Sequence, residues 1–203
     1  MHNRYDKIKT YYSGNTINHN DEAGILGWES HEAQIKRFDA FINNLNIQHS
    51  KLLDVGCGLG NLLEYLDKKS IIVEYTGIDI LPMMIEGCLN KGLRGRFILL
   101  DIFQNNPFTI SEFDTVFTSG IFNLDLGNNE RFIKEAFELF HKLATKNISF
   151  NLLHKKSPDK ETGYFYYCPD KAVKMIESTG LDFKKIEIVE NYLDNDFTVI
   201  VSK

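Results

Sequence analysis

From Lys51 onward, apolar runs of strand length alternate with stretches whose apolar residues recur at helical spacing. LLDV (52–55) runs into a glycine turn, after which Leu62, Leu63 and Leu66 mark a helix. IIVEYTGID (71–79) reads as a second strand, and Pro82 opens the next helix at a position proline favours. RFILLD (96–101) is a third strand, followed by a loop containing Asn105, Asn106 and Pro107, then by FDTVFTSG (113–120). Over 130–143 the apolar positions 132, 133, 136, 137, 139, 140 and 143 form the broad stripe of a buried helix. NISFNLL (147–153) is strand-like, and Pro169 begins a helix that Gly180 stops. KIEIVENYL (185–193) and FTVIVSK (197–203) flank only DND, too short a gap for a helix, so these two strands are expected to be antiparallel neighbours. The pattern predicts an α/β chain with a mainly parallel sheet ending in an antiparallel hairpin.

The first 50 residues differ. Residues 1–29 show neither a helical nor an alternating period and are read as an extended arm or lid. Tyr11, Tyr12, Ile25, Leu26 and Trp28 argue that this arm is ordered, because disordered tails are poor in aromatics. Ser30 is placed to cap a helix carrying Ile35, Phe38, Phe41, Ile42 and Leu45 on one side. Residues 1–50 are therefore assigned to an N-terminal arm and helix, and 51–203 to the main part of a single domain.

Length and charge add exclusions. A chain of 203 residues fits one domain. A net charge of −5 lacks the basic excess that phosphate neutralisation requires, which disfavours nucleic acid as a partner. Cys57, Cys88 and Cys168 are odd in number and not at CxxC spacing, so neither a disulfide framework nor a zinc site is expected. No Asp/His/Glu cluster has metal-ligand spacing, and no metal is expected. Free thiols, an N-terminus without an apolar signal core and the lack of a membrane-length apolar run suggest a cytoplasmic protein with no membrane partner. A monomer and a homodimer are both compatible with this reading.

The informative segment is LLDVGCGLG (52–60). A buried strand ends at Asp54 and Val55. Gly56, Gly58 and Gly60 then allow positive φ and close ligand approach, and the next helix offers unsatisfied N–H donors. The dinucleotide fingerprint GxGxxG would need glycine at 61, where Asn61 stands, so a nicotinamide-dependent reductase is disfavoured. The GxGxG spacing after Asp54 instead resembles motif I of the class I S-adenosylmethionine (SAM)-dependent methyltransferases. Asp79 and Asp101, each ending a strand, fall where that family has acids for the ribose and the adenine, and the terminal hairpin matches its antiparallel last strand. The resemblance spans 31–203. It implies a Rossmann-like seven-stranded sheet with an antiparallel last strand, helices on both faces and an N-terminal helical arm or lid.

It also implies SAM as cofactor and S-adenosylhomocysteine as product. Gly56, Cys57, Gly58 and Gly60 would line the methionine moiety, with Asp54 orienting the loop or meeting the ammonium. Asp79 would take the ribose hydroxyls, and Ile80 and Met83 would flank the adenine. Asp101 and Ile102 would read the adenine edge, with Phe103 nearby, while Ser119 and Gly120 would line the methyl side. SGIFN (119–123) stands where base-amine methyltransferases carry an NPPY-type motif, a departure from that subgroup.

Ligands of open α/β sheets bind outside the strand C-termini. That rule selects Asn123, Asn151, Tyr192 and Asn195 as substrate-facing, joined by Tyr12, Trp28 and Tyr166 from the arm and an aromatic cluster. Gln34 and Arg37 share one helical face, and the Arg37 guanidinium suits the cofactor carboxylate. The Gly-Trp, Gln and Arg positions and the run 195–198 are similar to segments of small bacterial methyltransferases. His154, then His31, are the candidate general bases, because imidazoles titrate near neutrality. The leading expectation is O- or N-methylation of a small polar metabolite: a sugar, a phosphorylated or phosphonate compound, or a carboxylate. The alternatives are a methyltransferase acting on RNA or protein and a SAM-binding regulator without turnover.

Overall fold

The computed structural model describes residues 4–203. Its core is a seven-stranded sheet built from β1 (Lys51–Val55), β2 (Glu74–Asp79), β3 (Arg96–Leu99), β4 (Phe113–Thr118), β5 (Ala144–Leu153), β6 (Lys185–Val189) and β7 (Asp196–Ser202). The spatial order is β3-β2-β1-β4-β5-β7-β6. Neighbours from β3 to β5 pair in parallel, and β7 is inserted between β5 and β6, antiparallel to both. The order reverses between β1 and β4, which places a crevice at their C-terminal ends.

Alternation along the central strands distributes side chains to two apolar layers. Leu52 and Phe117 point into one layer, with Phe38 and Phe41 of α3 (His31–Ile42) and Leu62 and Leu66 of α4 (Asn61–Lys68). Leu53 and Val116 point into the other, packed on Phe132, Ile133, Phe137 and Phe140 of α6 (Asn129–Leu143) and on Ile176 of α7 (Pro169–Glu177). Helix α5 (Pro82–Asn90) lies against β2 and β3 and starts at Pro82. Helices cover both faces, as the sequence pattern requires. Ile71 and Val73 do not extend β2; they pack beside the Leu66 layer instead.

The N-terminal region corrects one expectation. It is not extended: α1 (Arg4–Asn18) and α2 (Glu22–Ile25) are helices. A short period was present after all in Tyr5, Ile8 and Tyr12, spaced by three and four, and these residues pack on Leu59, Leu81 and Met84. The polar residues around them masked it. α3 follows as expected, with the Ser30 hydroxyl accepting a 3.0 Å hydrogen bond from the Ala33 N–H. Among the described residues no helix is long and apolar enough to cross a membrane.

Candidate active site

The turn after β1 is shaped by glycine. Gly56, Gly58 and Gly60 have φ of 75°, 54° and 76°, a region that strains residues with a Cβ. A Cβ on Gly58 would stand 2.7 Å from a Leu26 methyl, so the arm closes directly over the turn. The Gly56 and Cys57 N–H groups both donate to the Ile78 carbonyl, at 2.8 and 3.0 Å, which fixes the turn to the end of β2. Between this turn, the ends of β2 to β4 and the arm lies a cavity lined also by Trp28 and Gln34. α1 presents Arg4, Ile8 and Tyr12, on one helical face, to the same space.

Three carboxylates mark this cavity. Burial pushes Asp54 up to about 7, against the opposing hydrogen bond from the Tyr75 hydroxyl; the Asp79 charge adds to the rise. Asp79 is pushed up to about 6 by burial, opposed by backbone N–H groups of Leu81 at 2.9 Å and Gly58 at 3.1 Å. Asp101 has four hydrogen bonds: Arg4 spans both oxygens at 2.8 Å, Phe103 N–H reaches one at 3.0 Å and Gln104 the other at 2.9 Å. The Arg4 guanidinium also lies 4.8 Å from the ring centres of Phe103 and Phe132.

Of the residues expected at a cofactor, Asp54, Gly56, Cys57, Gly58, Asp79, Ile80, Asp101, Ile102, Phe103, Ser119 and Gly120 line this one cavity. Gly60 and Met83 do not. Gly60 faces Leu93 and Cys88 and caps α4. Met84, one position later on α5, points inward in place of Met83. A hydrogen bond with Cys88, then burial, holds the Cys57 thiol far above its ordinary range, so it is no thiolate nucleophile.

Arg37 is also corrected. Its Nε donates to Asp196, not toward the cofactor cavity, in a pair that is almost fully buried. Asp196 accepts from Asn151 Nδ2 at 3.0 and 3.2 Å and from the Tyr192 hydroxyl at 3.3 Å. Asn151 Oδ1 in turn accepts from the Gly120 N–H at 2.9 Å. The Trp28 ring lies 4.6 Å from the Arg37 guanidinium. A Cβ on Gly120, whose φ is 92°, would meet that ring at 2.9 Å. Asn151 and Tyr192, expected to face substrate, thus form a brace behind Gly120 and Trp28.

The histidines fall elsewhere. His154 is buried; its Nδ1 accepts from Lys156 N–H at 2.8 Å, which leaves Nε2–H to donate to Glu190 at 3.0 Å. With both ring nitrogens engaged and the ring edge against Phe197, it lines neither cavity. His31 is exposed at the start of α3 and also lines neither. The structure therefore gives neither of them the place of a general base.

A second chamber of about 250 Å³ adjoins the first, and Trp28 lines both. Asn123, Tyr166 and Asn195, read from the sequence as substrate-facing, line it, whereas Tyr12 lines the first cavity and Tyr11 lines this one. Backbone bonds Asp125 N–H to Gly163 O and Phe165 N–H to Asn123 O, both 2.8 Å, hold 163–167 extended beside 123–125. Alternation then sends Tyr164 and Tyr166 to the chamber and Phe165 and Tyr167 to the core. Sequence reasoning missed Arg4, Ile8 and Leu26 in the first cavity, and Glu29 and Glu161 in the second. Only the 4/8/12 spacing signalled the first two.

A methyltransferase-domain family model matches residues 52–142. A Mycobacterium tuberculosis protein that carries a provisional methyltransferase name, Rv1506c, is 27% identical over 159 residues, covering 74% of this chain and 91% of that one. A mouse 18S rRNA (guanine-N(7))-methyltransferase is 37% identical over 67 residues, 33% of this chain and 23% of that protein. Among solved structures, magnesium protoporphyrin IX methyltransferase from Synechocystis with bound SAM shares the fold at TM-score 0.65 and 14% identity, covering all of this chain and 98% of that one. A SAM-dependent methyltransferase from Aquifex aeolicus does so at TM-score 0.62 and 17% identity, covering 100% and 99%.

Proposed function

We propose that the chain is a class I S-adenosylmethionine-dependent methyltransferase and that it methylates a small polar metabolite admitted to the chamber beside the cofactor cavity. SAM supplies a methyl group already activated on a sulfonium. The protein's task is then chiefly to orient donor and acceptor and to exclude water.

The residues lining the cavity at the strand ends have the chemistry to hold that cofactor. The glycine turn brings bare backbone to the cavity wall, under Leu26 and Ile121. Asp79, held by two backbone N–H groups, keeps acceptor capacity for paired hydroxyls. Asp54, with its carboxyl held near neutral pH by burial, gains a favourable partner when an ammonium is placed beside it. The Gln34 Oε1 and Ser119 Oγ are buried without hydrogen-bond partners and line the same cavity, so polar ligand atoms would satisfy them. Ile80, Ile102 and Phe103 supply an apolar surface near Asp101.

The observation that carries the small-acceptor reading is the shared wall at Trp28. The second chamber, at about 250 Å³, falls just below the ~300–1,000 Å³ typical of small-molecule sites, a size for a small acceptor. It is lined by α1, the 24–29 segment and the 157–166 segment. The negative net charge also favours this reading over RNA.

The test is S-adenosylhomocysteine release by the full chain, measured with a panel of polar metabolites and, separately, with bulk RNA. Turnover with a metabolite and none with RNA supports the proposal. Turnover with RNA alone overturns it, and cofactor binding without turnover on either panel favours the regulator alternative.

A further inference from the structure

The second chamber carries chemistry that narrows its ligand. Three acidic residues line it, Glu29, Asp159 and Glu161, all of them exposed. Its one lining arginine, Arg37, is charge-balanced by Asp196 and covered by Trp28, so it offers no free positive charge to an anion. Two lining carboxamides have buried Oδ1 atoms without partners, Asn123 and Asn195, and Asn123 is only 9% exposed. The Arg37 Nη1, in a side chain 3% exposed, is also unpartnered. Buried polar groups are normally paired, so these atoms call for a ligand that brings N–H or O–H donors and at least one oxygen acceptor.

Four aromatic side chains, Trp28, Tyr11, Tyr164 and Tyr166, share the remaining walls with His19, Asn15, Ser157 and Leu153. Tyr11 and Tyr164 are joined through their hydroxyls, which fixes their rings at the chamber edge. Aromatic faces attract cations, and Lys160 Nζ already lies 6.0 Å from the Tyr166 ring. Asn195 Nδ2 reaches Glu29 at 3.4 Å, and the Tyr166 hydroxyl accepts from the Glu161 N–H at 2.9 Å, so both acidic residues are tied to lining side chains. A phosphate or carboxylate placed here would lose water while facing like charges.

We propose that the chamber lined by Trp28, Asn123 and Glu161 binds a cationic, hydroxylated amine of the amino-alcohol or amino-sugar class, with the ammonium toward the carboxylates and a hydroxyl toward Arg37. The inference rests on the methyltransferase reading, in which this chamber is the acceptor side. It replaces the phosphorylated and carboxylate acceptors that the sequence left open.

Trp28 is the sole tryptophan of the chain and lines both cavities, so its fluorescence reports on each. The experiment titrates the full chain first with S-adenosylhomocysteine. The saturated protein is then titrated with ethanolamine, glucosamine, glucose and glucose 6-phosphate at low salt. At least one amine is expected to saturate a Trp28 signal at a concentration tenfold or more below glucose, with no response to glucose 6-phosphate. Glu161→Gln and Glu29→Gln should each weaken the amine several-fold and leave the S-adenosylhomocysteine titration unchanged. Silence from both amines overturns the proposal, as does equal or tighter binding of glucose 6-phosphate or an amine affinity unmoved by both substitutions. If S-adenosylhomocysteine itself fails to bind, the failure lies instead with the cofactor reading.

Discussion

Arg37 of α3 and Asp196 at the start of β7, 159 residues apart in sequence, form a buried ion pair that fixes the N-terminal arm to the sheet. Through Asn151 the same carboxylate is connected to the Gly120 N–H, and through Arg37 to the Trp28 ring. The two cavities therefore share a wall whose position depends on one charge pair.

Arg37→Ala should destabilise the fold by about 3–5 kcal/mol, because it leaves a buried carboxylate without its counter-charge. Burial already raises the Asp196 pKa, and Arg37 opposes that rise. Without the arginine the folded-state pKa climbs further, so the stability this group costs grows as pH rises from the unfolded value through the folded one. Urea unfolding at pH 5 and pH 8 should thus show a smaller deficit at pH 5. Equal deficits at both would argue against an ionised Asp196. Arg37→Lys should recover only part of the loss, since an ammonium lacks the planar fork.

Cofactor affinity should depend on pH through Asp79. Its carboxyl is pushed up to about 6. Protonation removes acceptor capacity for ribose hydroxyls, so S-adenosylhomocysteine affinity should fall toward tenfold per unit below pH 6 through Asp79, beneath a decline that starts near pH 7 where Asp54 titrates and that Asp54→Asn removes. The ligand-free protein runs the other way: a raised carboxylate pKa contributes stability at low pH that is lost as pH rises through about 6. The thermal shift produced by ligand should therefore shrink on acidification. A shift independent of pH between 5 and 8 would remove Asp79 from the ribose role.

Asp101 presents a conflict that can be measured. A carboxylate has about four lone-pair sites, and four hydrogen bonds already reach Asp101, two of them from Arg4. An adenine amino group can bind it only if a donor gives way. Arg4→Ala should consequently tighten S-adenosylhomocysteine binding several-fold, read by calorimetry. Weaker binding would mean that Arg4 is a wall of the occupied site.

His154→Ala should lower stability by about 1–3 kcal/mol, since Glu190 and the Lys156 N–H lose their partner. In the fraction that remains folded, turnover should change less than threefold. A loss of kcat by a hundredfold at unchanged stability would restore the catalytic role that its position denies.

The sheet and its crevice were legible because their signals are local. LLDV followed by GCGLG carries both a buried strand and a turn, and Pro82 and Ser30 mark helix starts. Asp79 and Asp101 sit at strand ends, where the register alone delivers them to the crevice. The roles of Arg37, Asn151, Tyr192 and His154 were not legible, since a polar residue near a strand end faces either a ligand or another buried polar group. Long-range pairing decides between these: Asp196 gathers Arg37, Asn151 and Tyr192, and Glu190 takes His154. α1 was missed because its apolar face is three residues, Tyr5, Ile8 and Tyr12, among polar neighbours, and its helix is supported by the cluster around Leu81 and Met84.

The cavity bounded by Gly56, Cys57, Gly58, Asp79 and Asp101 is the proposed seat of the methyl donor. Calorimetric titration of the full chain with S-adenosylhomocysteine at pH 8 tests it most directly. A single site of micromolar affinity that Asp79→Ala abolishes is the result expected. No heat from the folded wild-type chain, or the same affinity after the substitution, would contradict it.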